Sequence, residues 1–129
     1  MEEPKVLIVD DEADFREAIV KLLRKRKMDV TGAENGEKAL DLMAANRFDV
    51  VVLDYKMPGM DGIQTLKALK KGWPETEVIM LTALGSVESG LEGMRSGAFD
   101  YVLKPAQIDD LMEKIHQAHE RKLIHERSI

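Results

Sequence analysis

Val50-Val51-Val52-Leu53-Asp54-Tyr55-Lys56-Met57-Pro58-Gly59 opens with four unbroken apolar residues and runs directly into an acid and a Pro-Gly turn. A strand with one wet face alternates, whereas a continuous β-branched run marks a strand buried on both faces of a parallel sheet. Lys5–Val9, Val78–Leu81 and Tyr101–Leu103 read the same way, and Met28–Ala33 is a weaker fifth candidate. Helical spacing fills the intervals. Phe15, Ala18, Ile19, Leu22 and Leu23 define one helix face. Asp14 is placed to cap that helix, with Glu17 completing a capping box. Glu37–Ala45 repeats the pattern through Ala39, Leu40, Met43 and Ala44, and Ile63–Lys71 through Ile63, Leu66 and Leu69. Val87–Arg95 is a poorer helix because Gly90 and Gly93 each cost about 1 kcal/mol against Ala. From Gln107 a long helix turns Ile108, Leu111, Met112, Ile115 and Ala118 inward.

Regular alternation of strand and helix predicts an α/β fold: a doubly wound, five-stranded parallel sheet with right-handed crossovers and helices on both faces. At 129 residues the chain fits one domain with a substantial core. That core spans about residues 5–118, followed by a polar helical tail or connector over 119–129. With 19 Lys and Arg against 24 Asp and Glu, the net charge of −5 disfavours a domain built to grip nucleic-acid backbones. The absence of Cys excludes disulfides and thiolate chemistry. The acidic start lacks a signal-peptide pattern, and the apolar runs fall far short of the roughly 20 residues needed to cross a bilayer. A cytoplasmic location is expected.

In such sheets the functional crevice lies beyond the carboxyl ends of the strands. There stand Asp10-Asp11, Asp54, Thr82-Ala83 and Lys104-Pro105. Three carboxylates at one rim repel by roughly 4 kcal/mol per pair at 4 Å and an effective dielectric of 20, so a proton or a cation must relieve them. Oxygen donors without His or Cys select a hard ion, Mg²⁺ or Mn²⁺. A fixed ammonium beside such an ion suits a phosphoryl group, whose oxygens need neutralising during transfer.

These residues, in this order and with the segment Leu53–Gly62 around the central acid, resemble the receiver domain of two-component response regulators over Lys5 to about Ile115. The resemblance implies a flavodoxin-like, chemotaxis-receiver-like (βα)5 fold with strand order 2-1-3-4-5. It makes Asp54 the acceptor of a phosphoryl group from the phosphohistidine of a sensor histidine kinase or phosphotransfer protein. Asp11, Asp54 and the backbone carbonyl of Lys56 would ligate Mg²⁺, with Asp10 acting through a water. Lys104 would meet a phosphoryl oxygen, the Thr82 hydroxyl would swing to another, and Tyr101 would turn inward with it. Pro105 would follow a cis peptide. The surface of the fourth helix, fifth strand and fifth helix would repack towards an effector, with a phosphorylation-dependent homodimer left open. Such a chain is a phosphoacceptor with self-phosphorylation and slow autodephosphorylation rather than a turnover enzyme. Lys56 and Leu84 stand at positions that tune phosphoryl lifetime in the family.

Two rival readings are a Mg²⁺-dependent phosphatase with an aspartyl nucleophile and a receiver-like scaffold that never takes phosphate. The phosphatase needs an acid two residues after the nucleophile, where Lys56 stands. Decay to a scaffold tends to lose one of the five site residues, all of which are present. Other strings carry no chemistry. Asp11-Glu12-Ala13-Asp14 spells a helicase motif without its P-loop. Gly32–Lys38 has the wrong phosphate-loop spacing. Arg24–Lys27 reads as a solvated helix end, and so do His116 and His119. Met57 and Met60 read as packing, Trp73-Pro74 as a loop. The helix beyond Ala118 either ends a free-standing receiver or connects to an effector.

Overall fold

The structure, a computed structural model, describes residues 3–83 and 87–127. Five strands, β1 (Lys5–Val9), β2 (Asp29–Ala33), β3 (Val50–Asp54), β4 (Glu77–Thr82) and β5 (Asp100–Leu103), alternate with five helices. These are α1 (Ala13–Lys25), α2 (Gly36–Ala45), α3 (Gly62–Gly72), α4 (Val87–Arg95) and α5 (Ile108–Arg127). All strand pairs are parallel, in the order β2-β1-β3-β4-β5. The flavodoxin-like arrangement expected from the sequence is the one observed.

Strand periodicity divides the core in two. Val6, Ile8, Val50, Val52, Ile79 and Leu81 face Ile19 and Leu23 of α1 and Leu111, Ile115 and Ala118 of α5. Leu7, Val9, Val51, Leu53 and Met80 face the other layer, against Ala39 and Met43 of α2 and Leu66 and Leu69 of α3. Every residue of β3 and β4 is buried, which is why these strands read as continuous apolar runs.

The inward stripe of α1 differs from expectation. Ile19 and Leu23 are its buried core residues, with Phe15 and Val20 half-buried alongside. Ala18 and Leu22 are exposed. The helix leans over β2, where Arg16 packs its stem against the bare Cα of Gly32, and this turns the stripe away from Ala18 and Leu22. The predicted capping box at Asp14 is also corrected. The N-cap is Glu12, with no side-chain cap, because α1 begins as soon as the chain clears the acidic pair. The genuine capping box is Asp61 with Gln64, at the start of α3.

The last helix also departs from expectation. His119 and Lys122 are buried rather than solvated. Lys122 pairs with Asp49 at 3.2 Å and Glu126 at 3.0 Å, and His119 Nε2 lies 3.9 Å from Asp49. Arg121 meets Glu77 at 3.2 Å. Asp49 and Glu77 sit at the amino ends of β3 and β4, so these contacts tie the end of α5 to the base of the sheet. Burial alone would raise the Asp49 pKa; the Lys5 N–H and the Lys122 ammonium outweigh it and hold the carboxyl below its ordinary value.

Candidate functional site

Parallel strands all deliver their carboxyl ends to one rim. Asp10 follows β1, Asp54 ends β3, Thr82 ends β4 and Lys104 follows β5. Asp10, Asp54 and Thr82 are buried, while Asp11 is exposed. One oxygen from each of Asp10, Asp11 and Asp54 lies within 4.8 Å of the others, the group among the described residues with metal-site geometry. The donor set is entirely hard oxygen, the type that suits Mg²⁺.

Lys104 bridges the acids. Its Nζ is 2.9 Å from Asp10 Oδ2, 3.3 Å from Asp54 Oδ1 and 3.6 Å from Glu12 Oε1. The Asp10 contact is a charge contact without hydrogen-bond alignment, since Oδ2 has no aligned donor among the described residues. Asp10 Oδ1 accepts the Glu12 backbone N–H at 2.9 Å. Burial of Asp54 and the neighbouring Asp10 charge push its pKa up to about 6, against the pull of Lys104. Burial works to lower the Lys104 pKa, but the close carboxylates of Asp10 and Asp54 prevail and raise it. The Lys104–Pro105 peptide is cis.

The Thr82 hydroxyl is buried without a hydrogen-bond partner among the described residues. Such an orphan costs roughly 1–3 kcal/mol, so Thr82 gains by any motion that reaches an acceptor. Tyr101 is half-buried, its ring laid on α4 where Gly90 leaves room: a Cβ at Gly90 would come within 2.7 Å of the ring. Lys56 is exposed beside the acids, lining an open cleft of about 590 Å³ with Asp11, Asp54, Ser89 and Lys104. Leu84 lies outside the described residues. Met57 is core packing, as expected.

Three neighbours of the site escape sequence reading. Glu12 shares Lys104, the Phe15 ring centroid lies 4.5 Å from the Lys104 ammonium, and Tyr55 Oη donates to Glu92 of α4 at 2.6 Å. Adjacency to Asp11 and Asp54 is the one signal that pointed to Glu12 and Tyr55.

Residues 6–116 match the family described as response regulator receiver domain. The chain belongs to this family. As a receiver domain it is 42% identical over 107 residues to the regulatory protein AtoC of Escherichia coli, covering 83% of this chain and 23% of that protein. To the response regulator protein PilR of Pseudomonas aeruginosa it is 35% identical, covering 92% and 26% respectively. The receiver domain of the Francisella response regulator 1452 superposes with a TM-score of 0.85 at 40% identity, covering 92% of this chain and 98% of that one. NtrX from Brucella abortus gives a TM-score of 0.92 at 31% identity, covering 98% of this chain and 29% of that one. The receiver domain thus spans about a quarter of the length of the curated relatives AtoC and PilR. No helix among the described residues is long and apolar enough to cross a membrane.

Proposed function

We propose that this receiver domain takes a phosphoryl group onto Asp54 from the phosphohistidine of a sensor histidine kinase or phosphotransfer protein, in the cytoplasm. The supporting observation is the convergence of Asp10, Asp11 and Asp54 within 4.8 Å under the ammonium of Lys104. An Asp54 oxygen attacks phosphorus. The new O–P bond gives an acyl phosphate, and the breaking P–N bond leaves its electron pair on the imidazole, which takes up a proton.

Asp11, Asp54 and the Lys56 carbonyl would hold Mg²⁺ (or Mn²⁺), with Asp10 behind a water. When bound, the ion neutralises charge on the phosphoryl oxygens. Lys104 leaves its carboxylate partners for a phosphoryl oxygen. The orphaned Thr82 hydroxyl turns to another, vacating space that Tyr101 fills. These contacts exist in the phosphorylated state alone, and such a difference is what shifts a two-state equilibrium. The face formed by α4, β5 and α5 repacks and changes its affinity for an effector. The single receiver unit connects to that effector through the end of α5, consistent with relatives about four times its length.

Incubation with Mg²⁺ and acetyl phosphate tests the reading. The expected product carries one hydroxylamine-labile phosphate per chain, absent in Asp54→Asn. No incorporation, or equal incorporation in Asp54→Asn, overturns it.

A further inference from the structure

Lys104 must do two opposed things: pair with acids before phosphate arrives, and stay at the rim once a divalent cation claims those acids. Among the described residues its ammonium has four neighbours. Asp10 and Asp54 are at 2.9 and 3.3 Å, Glu12 is at 3.6 Å, and the Phe15 ring centroid is at 4.5 Å. Two of the three carboxylates belong to the acidic cluster and are shared with any cation bound there. The third, Glu12, is largely solvent-exposed and therefore screened. The ring differs in kind. Its negative face attracts an ammonium through its quadrupole, and it offers no lone pair for a hard metal to take. Phe15 is also backed by the core, because it is half-buried on α1 and packs against the cluster that contains Ile19 and Leu23.

We propose that Phe15 is a positioning residue for Lys104, holding its ammonium over the acidic cluster by a cation–π contact that survives when the carboxylates are drawn to a metal. This rests on the Asp54 reading above. A purely structural Phe15 would need only its volume; a positioning Phe15 needs the charge distribution of its ring.

The two are separated by replacing Phe15 with mono-, di- and trifluorinated phenylalanine, which keep the shape and progressively drain the ring face. The probe is beryllofluoride with Mg²⁺ on the full chain, with Mg²⁺ affinity measured separately. Beryllofluoride affinity is expected to fall stepwise, by about threefold or more at full fluorination, while Mg²⁺ affinity stays constant. Phe15→Tyr retains the unsubstituted affinity and Phe15→Leu lowers it. In the metal-free protein, the Lys104 methylene protons next to the ammonium show an aromatic ring-current shift that Phe15→Leu abolishes. A flat fluorination series on a chain that binds beryllofluoride overturns this proposal and leaves the Asp54 reading intact. An unsubstituted chain that ignores beryllofluoride in Mg²⁺ overturns both.

Discussion

Asp54 holds its proton to about pH 6, whereas the same carboxyl in the unfolded chain loses it near 3.8. As pH rises between those values the native state binds more protons than the unfolded one, so this group makes stability fall. Above about 6 the full penalty persists, on the order of 1–3 kcal/mol. Asp54→Asn is therefore expected to stabilise the metal-free protein at neutral pH by that amount in denaturant unfolding. The gain should shrink towards zero near pH 4, and Mg²⁺ should shrink it at neutral pH. A constant gain at every pH would place its cause elsewhere. Asp10, Asp11, Asp54, Thr82 and Lys104 were legible because a parallel topology brings the residues after each strand to one rim, whatever the packing. Phe15 was not. Its spacing on α1 is that of a residue packed on the core, and no pattern records that Lys104 returns from the far end of the chain to lie on its face.

At the scale of elements, α4 shows glycine serving packing at the expense of helix propensity. A Cβ at Gly90 would meet three ring atoms of Tyr101 at 2.7–2.8 Å, and one at Gly93 would meet Met80 Cγ at 2.8 Å. Gly72, at the end of α3, has nothing within 4 Å of its added Cβ. Opposite signs are expected from the same substitution. Gly72→Ala should raise stability by about 0.5–1 kcal/mol, and Gly90→Ala should lower it by about 1–3 kcal/mol as the ring is displaced. Thermal unfolding of the two variants measures both, and a Gly90→Ala gain equal to that at Gly72 would show that the ring moves freely. The sequence marked α4 as a weak helix but could not say what its glycines admit, because Tyr101 and Met80 arrive from other strands.

For the whole molecule, composition and hydrophobic rhythm carried the topology, since buried parallel strands leave few alternatives. The fate of residues 119–127 was not legible. Lys122 looks like any solvated lysine until Asp49, distant in sequence, is folded beneath it. Lys122→Met should cost about 2 kcal/mol by taking from half-buried Asp49 its nearest ammonium, and adding Asp49→Asn should recover part of it. Asp49 is held below its ordinary pKa of 3.8, so its contribution is present above that value and fades as pH falls further. Denaturation of the single and double variants checks the coupling. The same pairs constrain how a signal can leave the domain. α5 has 20 residues and so is about 30 Å long, starting just past the Lys104 loop and pinned by Lys122 and Arg121 to the sheet's foot. A rod held along its inner face by Leu111, Ile115 and Ala118 and pinned at its foot resists sliding along its own axis. Anything fused beyond it would inherit the tilt of the helix as a whole.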